Sequence, residues 1–373
     1  MNLMLLITLV TSLEYGIKEL PEDSKFRKES FTKYAEVIVP NGKSILIIAQ
    51  EGVKDIAVAR AKNILNFFLT NVSGAKYGSD KTAVANSMAN NGAMLMMPEG
   101  AHREGREPDI EAQPLYEFET PIDGSQWYLQ NDWEHRDAAF EEIFHLVHDT
   151  GIGTYMKGAL PKYQTELAVE ARKALNEKRW GIPIDPGVND WIDELRQEQS
   201  LAQEYIAAVI DSYYGLWAAF DEAPGGMWGI YIAKNRAEIK EKDPRGFELI
   251  ESFLPPMMFG YEALIDPSFN GTFSLQLNQE RRYTFKSQYL VDITLTGKND
   301  ANILGNDVDN TFRGNQGNNI LNGGNGNDTV IYPGERTEYE ISNQSNTIRI
   351  KDLIENRSGT DTLISIEKIQ FLK

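Results

Sequence analysis

Phe140–Gly151, FEEIFHLVHDTG, is the stretch on which the reading of this 373-residue chain turns. At about 100° per residue it forms a short amphipathic helix. Phe140, Ile143, Phe144 and Val147 recur at i, i+3, i+4, i+7 and make an apolar face. Glu141, His145 and His148 fall on the opposite side, within about 60° of one another, and Glu142 and Asp149 flank them. Two imidazoles and several carboxylates on one face are donors for a divalent cation, and zinc suits this mixture of nitrogen and oxygen. The four histidines, His102, His135, His145 and His148, all lie in one short part of the chain. The competing reading is a solvated polar face that happens to carry histidine.

Upstream, residues 11–40 are polar and mixed. Lys43–Gln50, KSILIIAQ, suits a buried strand, and Glu51–Asn71 carries apolar residues at helical spacing. Strand then helix implies an α/β layer. Ala93–Met97 reads as a second strand and His102–Gln113 as a charged loop. Pro114–Thr120 and Trp127–Gln130 are edge or loop pieces near the site. The central helix is expected from about Asp137 to Asp149, ended by Gly151 and Gly153.

Downstream, Pro161–Lys178 reads as a helix and Asp185-Pro186-Gly187 as a turn. Helix resumes near Asp190 and continues, with a break near Ser200, to Phe220. Within 201–220, LAQEYIAAVIDSYYGLWAAF, the residues Glu204, Ala208, Asp211 and Gly215 share one narrow stripe. Small residues there let another helix approach, and two carboxylates are then carried inside. Buried carboxylates need a partner, and a metal is one. A stripe facing water is the other reading. Asp243-Pro244 opens a further helix to about Phe253, stopped by Pro255-Pro256.

After Tyr289 the composition shifts to Gly, Asn and Asp. Leu304, Phe312, Leu321 and Val330 mark a period of eight or nine, with Asn302, Asn310, Asn319 and Asp328 two residues before each. Gly305, Gly314 and Gly323 repeat with them. Such a period implies stacked β-coils, each burying one apolar residue. Asp or Asn at the turns offers oxygen to calcium. The candidate calcium residues are Asn310, Gly317, Asn319, Gly324, Gly326 and Asp328, for one or two ions, with asparagine hydrogen bonds holding other coils.

The formal net charge of −18 argues against a nucleic-acid partner, which needs clustered Lys and Arg. Absence of cysteine excludes disulfides and thiolate metal sites. The apolar run Leu3–Val10 has no basic residue before it and no clear cleavage site after it. An imperfect signal peptide and a buried first strand or helix both stay open. No apolar run approaches the roughly 18 residues of a transmembrane helix.

Gly323–Ile331, GGNGNDTVI, meets every fixed position of G-G-x-G-x-D-x-U-x. Over about 40 residues this region resembles the RTX, or hemolysin-type, calcium-binding repeats. The ending SGTDTLISIEKIQF resembles the cap that follows such repeats. The resemblance implies bound calcium, type I secretion machinery as a partner, and a secreted protein of a Gram-negative or cyanobacterial cell.

Glu141-Glu142-Ile143-Phe144-His145 resembles the zincin metallopeptidase helix, His-Glu-x-x-His. Glu142 matches the general base and His145 the second ligand. Glu141 stands where the family has its first histidine, and His148, one turn on, can make up the lost imidazole. The third ligand implied is Glu204, whose surroundings resemble the ligand helix of some zincins. Glu166 and Glu170 are rivals at thermolysin-like spacing. Tyr155, Tyr213, Tyr214 and His135 are candidates for steadying an oxyanion.

The expected fold class is α+β: an N-terminal segment over 1–40, a mainly helical zincin-like α/β domain over 41–285, and a small all-β RTX-type solenoid with a cap over 290–373. The expected function is a secreted, zinc-dependent, peptidase-like hydrolase acting on a peptide or protein. The alternative is a catalytically inactive zincin-like, calcium-binding protein of extracellular interaction or adhesion.

Overall fold

The computed structural model describes residues 15–103, 105–130, 136–154 and 156–372. The apolar N-terminal run lies outside them. Helices and strands both contribute, so the chain is of mixed α+β class. It divides into two compact units, Met1–Pro121 with Trp133–Pro256, and Ile122–Asp132 with Met257–Lys373.

The first unit holds a five-stranded sheet in the order β1-β2-β3-β4-β5. Its strands are β1 (Lys18–Glu19), β2 (Phe31–Ile38), β3 (Ser44–Gln50), β4 (Met94–Met97) and β5 (Gln113–Pro114). The first three run antiparallel to their neighbours, while β3, β4 and β5 are parallel. The hairpin β2–β3 spans position 40, so the described part of the expected N-terminal segment, from residue 15, joins this sheet through β1 and β2. Helix α1 (Asp55–Leu69) covers β2 and β3 and buries Ile56, Val58, Ile64, Leu65, Phe67 and Phe68. Helix α2 (Thr82–Asn90), which the sequence reading did not assign, follows it.

Helix α3 (Ala139–Val147) is the predicted central helix and packs on α1. It does not run on as an α-helix to Asp149: His148–Gly153 widens into a π-helical turn. Gly151 is where α2 comes closest, since a Cβ there would meet Val84 Cγ1 and Met88 Cγ at 2.8 Å. Helix α4 (Pro161–Asn176) follows. Helix α5 (Pro186–Glu198) starts earlier than expected, because Asp185 caps it through Gly187 N (2.7 Å) and Pro186 takes its first turn. What reads as a turn is a helix start. Helix α6 (Leu201–Tyr213) packs on α3 and α4. It stops short of Phe220 because Gly215, at φ +77°, closes a Schellman motif. Gly215 N donates to Ser212 O (3.2 Å) and Leu216 N to Asp211 O (2.9 Å). Helices α7 (Arg236–Lys242) and α8 (Pro244–Glu251) finish the unit.

With short helices at Gln126–Gln130, where the sequence suggests an edge or loop piece, and at Thr284–Ser287, the second unit is built on two sheets. One has the order β16-β12-β10-β8-β6 and is parallel throughout; the other has the order β13-β14-β15-β11-β9-β7. The strands are β6 (Glu262–Ile265), β7 (Gly271–Ser274), β8 (Asp292–Leu295), β9 (Ala301–Leu304), β10 (Thr311–Arg313), β11 (Ile320–Asn322) and β12 (Thr329–Pro333), then β13 (Tyr339–Gln344), β14 (Thr347–Asp352), β15 (Thr360–Ile364) and β16 (Lys368–Leu372). From β6 to β12 successive strands alternate between the sheets. The stack begins at Glu262, well before the Gly-Asn-Asp composition starts, because Ala263 pairs with Ile293 and Phe273 with Ile303 in parallel register. Phe312, Leu321 and Val330 point inward as expected. Ile303, not Leu304, is the inward residue of its coil, and Leu321 pairs with it.

The candidate calcium residues Asn310, Asn319 and Asp328 are buried at the strand starts. Asn310 Oδ1 accepts from Asn306 N (3.1 Å) and its Nδ2 donates to Asn306 Oδ1 (3.0 Å). Asn319 makes the same pair of bonds with Asn315, each at 3.0 Å. Both amides are thus engaged in the turn. Gly324 and Gly326 sit at φ +87° and +124°, and a Cβ on Gly317 would meet Asn299 O at 2.3 Å. Each buried strand start also donates its N–H to a carboxylate further along the chain: Asn310 to Asp328 (2.7 Å), Asn319 to Asp361 (3.0 Å) and Asp328 to Glu367 (2.7 Å).

Burial pushes the Asp361 carboxyl up to about 7, against the bonds from Asn319 N and Tyr332 Oη that favour its charge. The folded state therefore holds a proton that the unfolded chain releases near the ordinary carboxylate value. That stabilisation is complete below about pH 4 and lost as pH rises through about 7. Calorimetry of the full chain should show the β-unit transition falling from pH 5 to pH 8, with a smaller slope in Asp361→Asn. An unchanged slope would contradict this.

Candidate metal centre

The site is built from two packed helices. Asp137, just ahead of α3, forms a fork-to-fork pair with buried Arg60 of α1, Nη1–Oδ1 3.0 Å and Nη2–Oδ2 2.6 Å. Arg60 Nη1 also reaches Thr120 Oγ1 (3.3 Å), and Asp137 Oδ1 accepts from Ala139 N (3.3 Å). This fixes where α3 begins and which way it turns. Phe140 and Phe144 then pack edge-on against Phe68, with ring centroids 6.0 and 5.2 Å apart. With that face in the core, the polar face meets α6.

Three of the expected ligands come together there. Glu141, His145 and Glu204 each offer an atom within 4.8 Å of the others, so this group could hold a metal ion. Glu141 and His145 are buried and Glu204 is half-buried. His145 Nε2 faces Glu204 Oε1 at 3.5 Å, and Nδ1 faces Glu142 Oε2 at 3.6 Å. Glu142 also accepts from Gln113 Nε2 of β5 at 2.7 Å. The rival acids are engaged elsewhere: Glu166 by Lys76, Tyr77 and Arg245, and Glu170 by Arg179.

His148 does not join the group. Its Nε2 meets Gln164 Oε1 of α4 at 2.5 Å, and burial draws its pKa down to about 4. Tyr213 and Tyr214 are also turned away, with hydroxyls on Glu251 Oε1 (3.1 Å) and Pro255 O (2.5 Å). His135 and Tyr155 lie outside the described residues. His102 is exposed and meets Glu107 at 3.0 Å.

Two residues complete the electrostatics. Asp211, on the predicted stripe of α6, is buried about two turns beyond Glu204. Arg136, unnoticed in the sequence, pairs with Glu141 Oε2 and lies 5.4 Å over the Trp228 ring. Met227 and Trp228 both take left-handed backbone, at φ +50° and +53°, strain of the kind that collects beside functional sites.

Acids outnumber cations. Burial would lower His145, but Glu204 and Glu142 outweigh it and raise it to about 10. Burial pushes Glu204 up to about 7 against the pull of His145, with Glu141 and Glu142 adding to the rise. Asp211 is raised well above the carboxylate range by burial and then by Glu141. Among the described residues, His145 Nε2 and Asp211 Oδ1 are buried with no hydrogen-bond partner. A buried donor or acceptor left unmade is costly, and a cation held by Glu141, His145 and Glu204 would satisfy His145 Nε2. The residues fit a divalent ion.

No protein-family model, curated protein or solved structure matches this chain.

Arg136 pairs with Glu141, one of the three side chains that a divalent ion would use. Removing one partner of a buried ion pair costs about 3–5 kcal/mol. In chelator, Arg136→Gln should melt well below wild type, and Mn2+ or Zn2+ should raise the variant's Tm by more than the wild type's. Equal metal-induced shifts would show that Arg136 does not share the metal's place.

Proposed function

We propose that this chain is a secreted metal-dependent hydrolase, peptidase-like, with a zincin-like site domain and an RTX-type calcium-binding β-solenoid. The observation that carries the reading is the buried His145 Nε2, without a hydrogen bond, clustered with Glu141 and Glu204 next to Glu142. Glu141, His145 and Glu204 would hold the ion. A bound divalent cation supplies Lewis acidity and a water of lowered pKa. Glu142 is the base: Gln113 fixes its carboxylate, and His145 holds its pKa below the usual value against the effect of burial. It takes the proton of the attacking water. His145, at 3.6 Å, steadies its charge.

The donor set, one imidazole with several carboxylates, suits Mn2+ or Fe2+ as well as Zn2+. The pairing of Arg136 with Glu141 favours a second reading, a metal-binding domain without catalysis that serves an interaction partner. For the second unit, support comes from the parallel strands alternating between two sheets and the complete GGNGNDTVI turn, and export follows from the RTX reading. An oxygen-lined site holds calcium only when folded, so calcium outside the cell would stabilise it by mass action.

Elemental mass spectrometry should find about one transition metal per chain, lost in His145→Ala and Glu204→Gln. Hydrolysis of a peptide library should vanish in Glu142→Gln while metal is retained. Metal without hydrolysis leaves the second reading; absence of metal removes both. A calcium-selective chelator should lower the melting temperature of the β unit, and no shift would remove the calcium assignment.

A further inference from the structure

A second concavity lies in the first unit, apart from the metal centre. It measures about 430 Å³ and is lined by Pro98, Arg103, Arg106, Pro108, Tyr116 and Phe118. That is within the size range of small-ligand sites. Its floor is made by residues 115–118 running beside 96–100: Leu115 N donates to Met96 O (2.9 Å), Glu117 N to Pro98 O (3.0 Å) and Phe118 N to Gly100 O (3.1 Å). Its wall is the loop after β4, where Arg106 N donates to Arg103 O (3.0 Å) and places the two arginines on one turn.

The charges are arranged unevenly. The two acids of the lining are tied to backbone: Glu99 Oε1 accepts from Gly52 N (2.5 Å) and Glu117 Oε2 from Gly100 N (3.1 Å). Arg103 and Arg106 have no ion pair among the described residues. Two unengaged guanidinium groups on one concavity are notable in a chain of net charge −18. Guanidinium presents a fork that matches a carboxylate. Tyr116, Phe118 and the two prolines offer apolar surface to the methylenes behind it. Glu99 and Glu117 offset much of the positive charge, which suits a monoanion on an apolar stem better than a phosphate dianion.

The concavity continues the edge that reaches the metal centre. Gln113, which holds Glu142, stands three residues before Tyr116 in extended chain. At about 3.3 Å per residue that is roughly 10 Å. We propose that this concavity is a carboxylate subsite, taking a Glu or Asp side chain about three residues from the bond that the metal centre addresses. Its placement relative to a scissile bond rests on the hydrolase reading; recognition of the acidic side chain does not.

Binding separates the two. The full chain in chelator is titrated with end-blocked alanine-rich peptides carrying one central Glu, or Gln in its place. The Glu peptide should bind about tenfold tighter or more, as a charge-assisted pair would give, and weaken as salt rises. Arg103→Gln/Arg106→Gln should lose that preference and keep the wild-type Tm, since both side chains are exposed. Glu142→Gln should keep it. Equal affinities for the two peptides, no binding of either at millimolar concentration, or an unchanged preference in the double variant would overturn the subsite. Inorganic phosphate displacing the Glu peptide at lower concentration than butyrate, a monoanion on an apolar stem, would overturn the carboxylate assignment. A Glu preference without hydrolysis of any peptide would leave the subsite standing and sink the hydrolase reading instead.

Discussion

A buried carboxylate must be matched by a cation or by hydrogen bonds, and this protein buries several in one place. Glu141 cannot face water, because Phe140, Ile143 and Phe144 on the same helix are fully buried in the core. Turning α3 to expose Glu141 would expose those rings. The rotation is fixed a second time at the helix start, where Arg60 and Asp137 pair out of solvent. Acids from α6 then enter the same space. Arg136 and His145 are the neighbouring cations, and a divalent ion is the natural supplement. The geometry of the site follows from how the core is packed, not from the loops around it.

The second unit meets a different constraint. Parallel strands that alternate between two sheets leave the N–H groups of Asn310, Asn319 and Asp328 buried at strand starts. Asn310 and Asn319 answer this by bonding back to Asn306 and Asn315 four residues earlier. Asp328, Asp361 and Glu367 accept the remaining N–H groups from the strand starts before them. Asparagine in place of aspartate therefore gives up charge but gains two donors, which the turn uses. Of these three carboxylates, only Asp328 keeps a buried oxygen, Oδ2, with no hydrogen-bond partner among the described residues. It belongs to the one turn whose sequence is complete.

What could be read from the chain was whatever a period carries. The apolar face of α3, the stripe on α6 and the nine-residue spacing of the coils all survive in the structure, and the stripe correctly brought Glu204 toward His145. What could not be read was set by single backbone events or by long-range partners. Gly215 ends α6 seven residues before Phe220 would, with no break in the apolar pattern. The Asp185-Pro186 pair reads equally as a turn or a cap, and only the helix beyond it decides. His148 shares a helical face with His145 on paper, but a glutamine from α4 claims it. Arg136 had a faint signal, a cation one turn ahead of an acid about to be buried. The start of the stack at Glu262 had none, because β6 and β7 borrow their register from strands that follow.

The charge balance bears on which ion the centre would select. Glu141, a carboxylate donor beside His145, makes the donor set harder and more negative, which would weaken the polarising power left to an ion held there. Arg136 acts in the opposite direction. By pairing with Glu141 it removes part of that negative charge, so the field felt by an ion held mainly by His145 and Glu204 is closer to that of a less acidic site. The same arginine that competes with a metal for Glu141 can thus, when both are present, restore some Lewis acidity. Whether a carboxylate-rich centre of this kind is structural or reactive depends less on the count of its acids than on how many of them a protein cation already holds.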